Sequence, residues 1–197
     1  MLVIEIKNTS KNKYKVVLED GMTIPMYKSE LEKYKVSLEK DFPSEEIQRF
    51  YKEVLYKRGK LRVMHLLEKS QRTEKELRDK LKSSYYPQDV IDVAIDYVKS
   101  FHYVDDEQYA RNLIEYLSNK ISKRDIILKL RTKGVSSDII ENTIDKYYKD
   151  ENTDELILKI ISKRKYDKET ATNEEKQKIY RYLSSKGFSY YDFQNYI

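Results

Sequence analysis

Apolar residues in the first 40 positions recur at every second residue. Leu2, Ile4 and Ile6 form one alternating set and Tyr14, Val16 and Leu18 another, which is the period of a half-buried strand. Asp20-Gly21 supplies a turn between them and a third run, Met22 to Tyr27. Pro25 has no N–H to give to a ladder, so this third strand belongs at an edge. A short helix at Ser29–Tyr34 closes the segment, and Asp41-Phe42-Pro43-Ser44 marks a boundary. Beyond Ser44 the period changes to that of amphipathic helices and strand signals cease. Ser44, followed by Glu45 and Glu46, offers a capping oxygen and two negative charges to a helix N-terminus.

The helical part aligns with itself. With Leu81, Leu130 and Leu183 as anchors, Leu77, Ile126 and Ile179 lie four residues before them, one turn back on the same face. Tyr85, Gly134 and Gly187 lie four residues after, and Tyr86, Val135 and Phe188 come next. Ile91, Ile140 and Phe193 follow at ten residues, then Ile95, Ile144 and Ile197 at fourteen, with no gap. A fixed period of this kind marks repeated units. Each unit reads as a helix stopped by a left-handed residue, a turn, and a second helix. Tyr85 departs from the glycine rule. Caps for the second helices are Asp89 or Gln88, Ser136 or Ser137, and Ser189. A further amphipathic stretch precedes each pair, at Leu55–Leu67, Tyr109–Leu117 and Leu156–Ile161, giving three helices per unit. The third unit carries a polar insertion, Lys165–Asn173, expected to be mobile.

The expected fold is therefore mainly α: tandem three-helix repeats along an elongated body behind a small N-terminal β appendage. The segments are 1–40 for the appendage, 44–102 for repeat one, 103–150 for repeat two and 151–197 for repeat three.

Composition fits several small cores better than one large one, because 37% of the residues are charged against a usual value of about a quarter. The absence of cysteine excludes disulfides, thiolate zinc ligation and a cysteine nucleophile, and suits a reducing cytoplasm. No leader or membrane-spanning run is read, so a membrane partner is not expected. The two histidines, His65 and His102, lie apart and supply no metal site. The four glycines are too scattered for a phosphate-cradling loop. Asp105-Asp106 resembles an acid/base pair, but Asp105 with Gln108 has capping-box spacing, and Thr73 with Glu76 reads the same way. No catalytic residue, cofactor or metal is expected.

Charge is informative through its distribution. The net charge is +5, yet six basic residues stand against one acid between Ser118 and Lys133. Arg124 and Arg131 are seven apart and share a helix face. Lys123 and Lys176 are equivalent in the repeat register, as are Lys133 and Lys186, whereas the first unit has Glu74 and Ser84 there. Units two and three thus share a basic edge, for which Lys120, Lys123, Arg124, Arg131, Lys133, Lys176, Arg181 and Lys186 are the candidates. DNA phosphate and an acidic protein groove both suit it. A helix-turn-helix reading is opposed by Asp89, Asp92 and Asp96 in one second helix and Asp138, Glu141 and Asp145 in another.

Four stretches together resemble one known family. They are Arg72-Thr73-Glu74-Lys75-Glu76-Leu77 with Leu81; Tyr103-Val104-Asp105-Asp106 with Tyr109-Ala110; Leu130-Arg131-Thr132-Lys133-Gly134-Val135; and Tyr180-Arg181-Tyr182-Leu183 with Lys186-Gly187-Phe188. In order and spacing they resemble RecX, the regulators of the RecA recombinase. Ser84-Tyr85-Tyr86 stands where the family favours Lys-Gly-Phe, and Ile121-Ser122 where Gly-Pro is common. The resemblance implies a curved, elongated α-helical protein that lies in the groove of the RecA filament on DNA, contacts neighbouring RecA subunits and modulates, mainly inhibits, strand exchange and ATP turnover, with no chemistry of its own; a monomer is expected. Direct binding of single- or double-stranded DNA by the same basic edge is the alternative.

Overall fold

The computed structural model describes residues 1–148 and 153–197. The chain divides into two compact units, Met1–Asp105 and Asp106–Ile197. Among the described residues no helix is long and apolar enough to cross a membrane.

The first unit opens with an antiparallel sheet in the order β1 (Val3–Ser10), β2 (Lys13–Leu18), β3 (Thr23–Tyr27). Gly21 turns the chain at φ +82, and the Asp20 carboxylate accepts the Met22 N–H. Val16, Leu18, Ile24 and Met26 are buried as the alternation requires. β1 departs from it. Its register on β2 slips between Val3 and Glu5, so Val3 is buried while Leu2 and Ile4 are exposed. One extra residue in a strand moves the side chains beyond it to the other face, which alternation alone does not reveal.

The short helix α1 (Lys28–Lys33) follows, then α2 (Ser44–Phe50). Pro43, not Ser44, is the N-cap of α2, and no side chain caps it. Pro43 sits outside the helix with an extended ψ of 138, its own φ fixed by the ring, and Ser44 is the first helical residue. A π-helical turn at Tyr51–Leu55 joins α2 to α3 (Tyr56–Lys69). This turn presents Phe50, Tyr51 and Leu55 together to the core under the sheet, where they meet Phe42 and Val90.

Repeat one is α3, α4 (Glu74–Lys82) and α5 (Gln88–Ser100). Its core is Val63, Leu66, Leu77, Leu81, Ile91, Ala94, Ile95 and Val98. α3 approaches α5 at Gly59, where an added Cβ would lie 3.0 Å from Val90 Cγ1. Pro87 rather than Gln88 or Asp89 is the N-cap of α5.

Repeat two is α6 (Asp106–Leu117), α7 (Lys123–Thr132) and α8 (Ser137–Tyr147). Repeat three is α9 (Thr153–Lys163), α10 (Asn173–Ser185) and α11 (Tyr190–Phe193). Each encloses its own apolar cluster, centred on Leu130 and on Leu183. All three anchor leucines are buried, and so are their partners four residues earlier. Four residues later the backbone turns left-handed at Tyr85 (φ 65), Gly134 (φ 81) and Gly187 (φ 84). In each case the next N–H returns to the anchor carbonyl: Tyr86 to Leu81, Val135 to Leu130, and Phe188 to Leu183. This is one helix-stop motif built three times.

One feature of repeat three differs from expectation. α11 is a single turn, so Ile197 packs on the core from beyond the helix, unlike Ile95 and Ile144. Within the polar insertion the Ala171 N–H donates to the Asp167 carbonyl, and Lys168 Nζ donates to the Asn195 carbonyl at 3.0 Å.

Candidate interaction surface

α7 begins at Ser122, whose hydroxyl accepts the Asp125 N–H at 3.2 Å, and ends at Lys133. Ile126 and Leu130 face the core. Lys123, Ile127 and Arg131 then fall on the flank toward α8 and line a shallow groove of about 340 Å³ with Ile140, Glu141, Ile144 and Asp145. Arg124 is exposed and lies one helical position from this flank. Lys133 leaves the helix about 160° round the axis from Arg131, because two residues turn an α-helix by roughly 200°.

The structure thus brings Lys123, Arg124 and Arg131 together on one flank of α7 and sets Lys133 on the other. Lys120, in the turn before α7, stands over the Tyr116 ring at 3.2 Å. Lys123 Nζ lies 5.5 Å from the Tyr148 ring. On α10, Arg181 is exposed opposite the Ile179–Leu183 stripe and Lys176 is half-buried. Lys186 is the C-cap of α10; its ammonium lies 5.4 Å from the Tyr182 ring.

Repeats two and three meet at this place. The Lys186 carbonyl accepts the Ser122 N–H at 3.0 Å, satisfying one donor at the start of α7. Gly187 lies so close that a Cβ there would be 2.5 Å from both Asp125 Cβ and Ser122 Oγ. The basic residues at the start of α7 and the end of α10 are therefore neighbours through the backbone.

Three residues belong to this edge that the sequence did not place there. Glu141 and Asp145 share the α7–α8 groove with Lys123 and Arg131, so part of the positive edge faces acids; their spacing of four along α8 was the available signal. Leu128, exposed between Arg124 and Arg131 on α7, is an apolar side chain on a charged face. Lys129 is paired with Asp125 at 3.5 Å. No group of three or more His, Asp or Glu side chains able to hold a metal ion occurs among the described residues.

Comparison with known proteins adds to this geometry. Family models described as the first, second and third three-helix domains of RecX match residues 60–97, 105–144 and 150–197. The regulatory protein RecX of Clostridium perfringens (strain SM101 / Type A) is 32% identical over 194 residues, 95% of this chain and 89% of its own length. The chain belongs to the RecX family. Regulatory protein RecX of Clostridium beijerinckii is 28% identical over 193 residues, covering 96% of this chain and 90% of that one. A crystal structure of regulatory protein RecX covers 98% of this chain and 97% of its own with a TM-score of 0.57 at 20% identity. RecX from Lactobacillus salivarius covers 72% and 93% with a TM-score of 0.55 at 25% identity. The RecX three-helix domains are thus the repeats seen in the register of Leu81, Leu130 and Leu183.

Proposed function

We propose that this chain binds a RecA filament assembled on DNA and restrains its ATP turnover and strand exchange, acting by contact and not by catalysis. Membership of the RecX regulatory family supports the partner. The gathering of Lys123, Arg124 and Arg131 on one flank of α7 is the observation that carries the site. Lys120, Lys133, Lys176, Arg181 and Lys186 extend the positive field, which steers a charged partner even where no direct pair forms.

A protein partner suits α7 better than a duplex groove does. Leu128 is an exposed apolar side chain beside two arginines, and arginine is enriched at protein contacts. α8, which would have to enter a major groove, carries Asp138, Glu141 and Asp145, and these repel phosphate.

The test is to mix the chain with recombinase on single-stranded DNA and follow ATP hydrolysis and filament length. The triple variant Lys123→Glu, Arg124→Glu, Arg131→Glu is expected to need at least about tenfold more protein for the same inhibition, since each buried or half-buried charge contact is worth roughly 0.5–2 kcal/mol. Its circular dichroism should match that of the unaltered chain. Inhibition unchanged by the triple reversal refutes the site.

A further inference from the structure

The first unit holds a second basic surface, unrelated to α7. Between the strands and the α3–α4 side of repeat one lies an open groove of about 520 Å³, within the rough 300–1,000 Å³ range of ligand sites. Its lining carries Lys13, Arg58 and Arg62 and no acidic residue. Tyrosines 14, 27, 85 and 86 supply rings along it.

The cations have different duties. Arg58 is held: its guanidinium donates to the Pro25 carbonyl and to Glu30 and lies 4.7 Å from the Tyr27 ring. It braces the floor. Lys13, exposed and 5.7 Å from the same ring, and the half-buried Arg62 are the charges placed to meet an anion.

Tyr85 is the telling residue. It occupies the left-handed position at φ 65, where repeats two and three have glycine. A tyrosine there is strained, and the fold does not require it, because glycine serves the same turn twice elsewhere. What the side chain adds is a ring at the groove, partly exposed, with Lys15 Nζ 5.6 Å from its centre.

We propose that this groove binds a segment of single-stranded nucleic acid, with Lys13 and Arg62 on phosphates and Tyr85 as a stacking platform for a base. Cations interleaved with aromatic rings in an open channel are the chemistry that single strands require. A duplex keeps its bases stacked and hidden from such rings. An acidic peptide would use the charges and leave the rings idle. The volume suits one or two nucleotides of a longer strand.

The experiment is fluorescence anisotropy of labelled oligodeoxythymidine with the full chain, without recombinase, over a series of salt concentrations. Binding is expected to weaken as salt rises, with a slope of about 0.7 per phosphate contact. Arg62→Glu should weaken binding and reduce that slope. Tyr85→Gly should weaken it about fivefold to tenfold at unchanged slope, and Tyr85→Phe should restore it, since stacking needs the ring and not the hydroxyl. Glycine suits the left-handed backbone, so the loss is not one of folding; a melting curve confirms this. The idea is overturned if the unaltered chain does not bind at low salt, if the groove variants bind normally, or if only the α7 reversal abolishes binding. Equal affinity for the duplex, or displacement by polyglutamate at equal charge, overturns the stacking role.

Discussion

Gly187 and Tyr85 occupy the same place in their repeats and face opposite constraints. At Gly187 the left-handed backbone and the nearness of Asp125 and Ser122 both exclude a Cβ. Gly187→Ala is expected to cost about 2–4 kcal/mol, from backbone strain and overpacking together. Tyr85→Gly should stay within about 1 kcal/mol of the unaltered chain, because relief of left-handed strain offsets the lost ring contacts. Denaturant unfolding of both variants checks this, and a harmless Gly187→Ala contradicts the close approach. The need for glycine at 134 and 187 was legible from the repeat register. The contact of Gly187 with α7 was not, because it joins residues of different repeats.

Helix ends were partly legible. Thr73 and Glu76 form the expected capping box at the start of α4, since both partners lie within one turn. At α2 Pro43 takes the cap position, and a local rule that favours serine failed. Between elements, Glu74 links α4 to α5: Arg78 and Lys99 both donate to it, and Arg78 also reaches Asp92. Burial pushes the Glu74 carboxyl up, but hydrogen bonds from Lys99 and Arg78 outweigh it and hold the group below its ordinary value. The Arg78 hydrogen bond likewise lowers Asp92. Groups with lowered native pKa contribute fully above the unfolded carboxylate range, and that contribution is lost as pH falls through it toward the native value. Stability should therefore drop on acidification below about pH 4.5, and Glu74→Gln should make the drop shallower. Parallel curves for the two proteins, measured by denaturant midpoint against pH, would exclude this role for the network.

At the scale of the molecule, the decisive feature is the separation of the apolar side chains among the described residues into four clusters. Repeats with their own cores lose stability locally. Leu130→Ala, which opens a cavity in repeat two, should cost about 2–5 kcal/mol there. Hydrogen exchange should speed up in α6, α7 and α8 while amides of the sheet and of α5 keep their protection. Uniform loss along the chain would mean that the repeats unfold as one. Separate cores were foreseeable from the high charge content, since a chain so polar has too few apolar side chains for a single large interior. The joining of the sheet to helices α2 and α5 in one cluster was not foreseeable, because Phe42, Phe50 and Val90 meet only after the chain has folded back.

By itself the sequence determined the helix period, the three equivalent leucines, the turn residues after them and the family, all set by short-range spacing that a one-dimensional pattern records. Only the tertiary structure decided which charges stand together. It set Lys123, Arg124 and Arg131 on one flank, faced two of them with Glu141 and Asp145, and assembled a second basic groove from strands and helices far apart in the chain. The physical reason is that a helix fixes its own faces through local hydrogen bonds, whereas the neighbour of each face depends on packing between segments that no local period encodes.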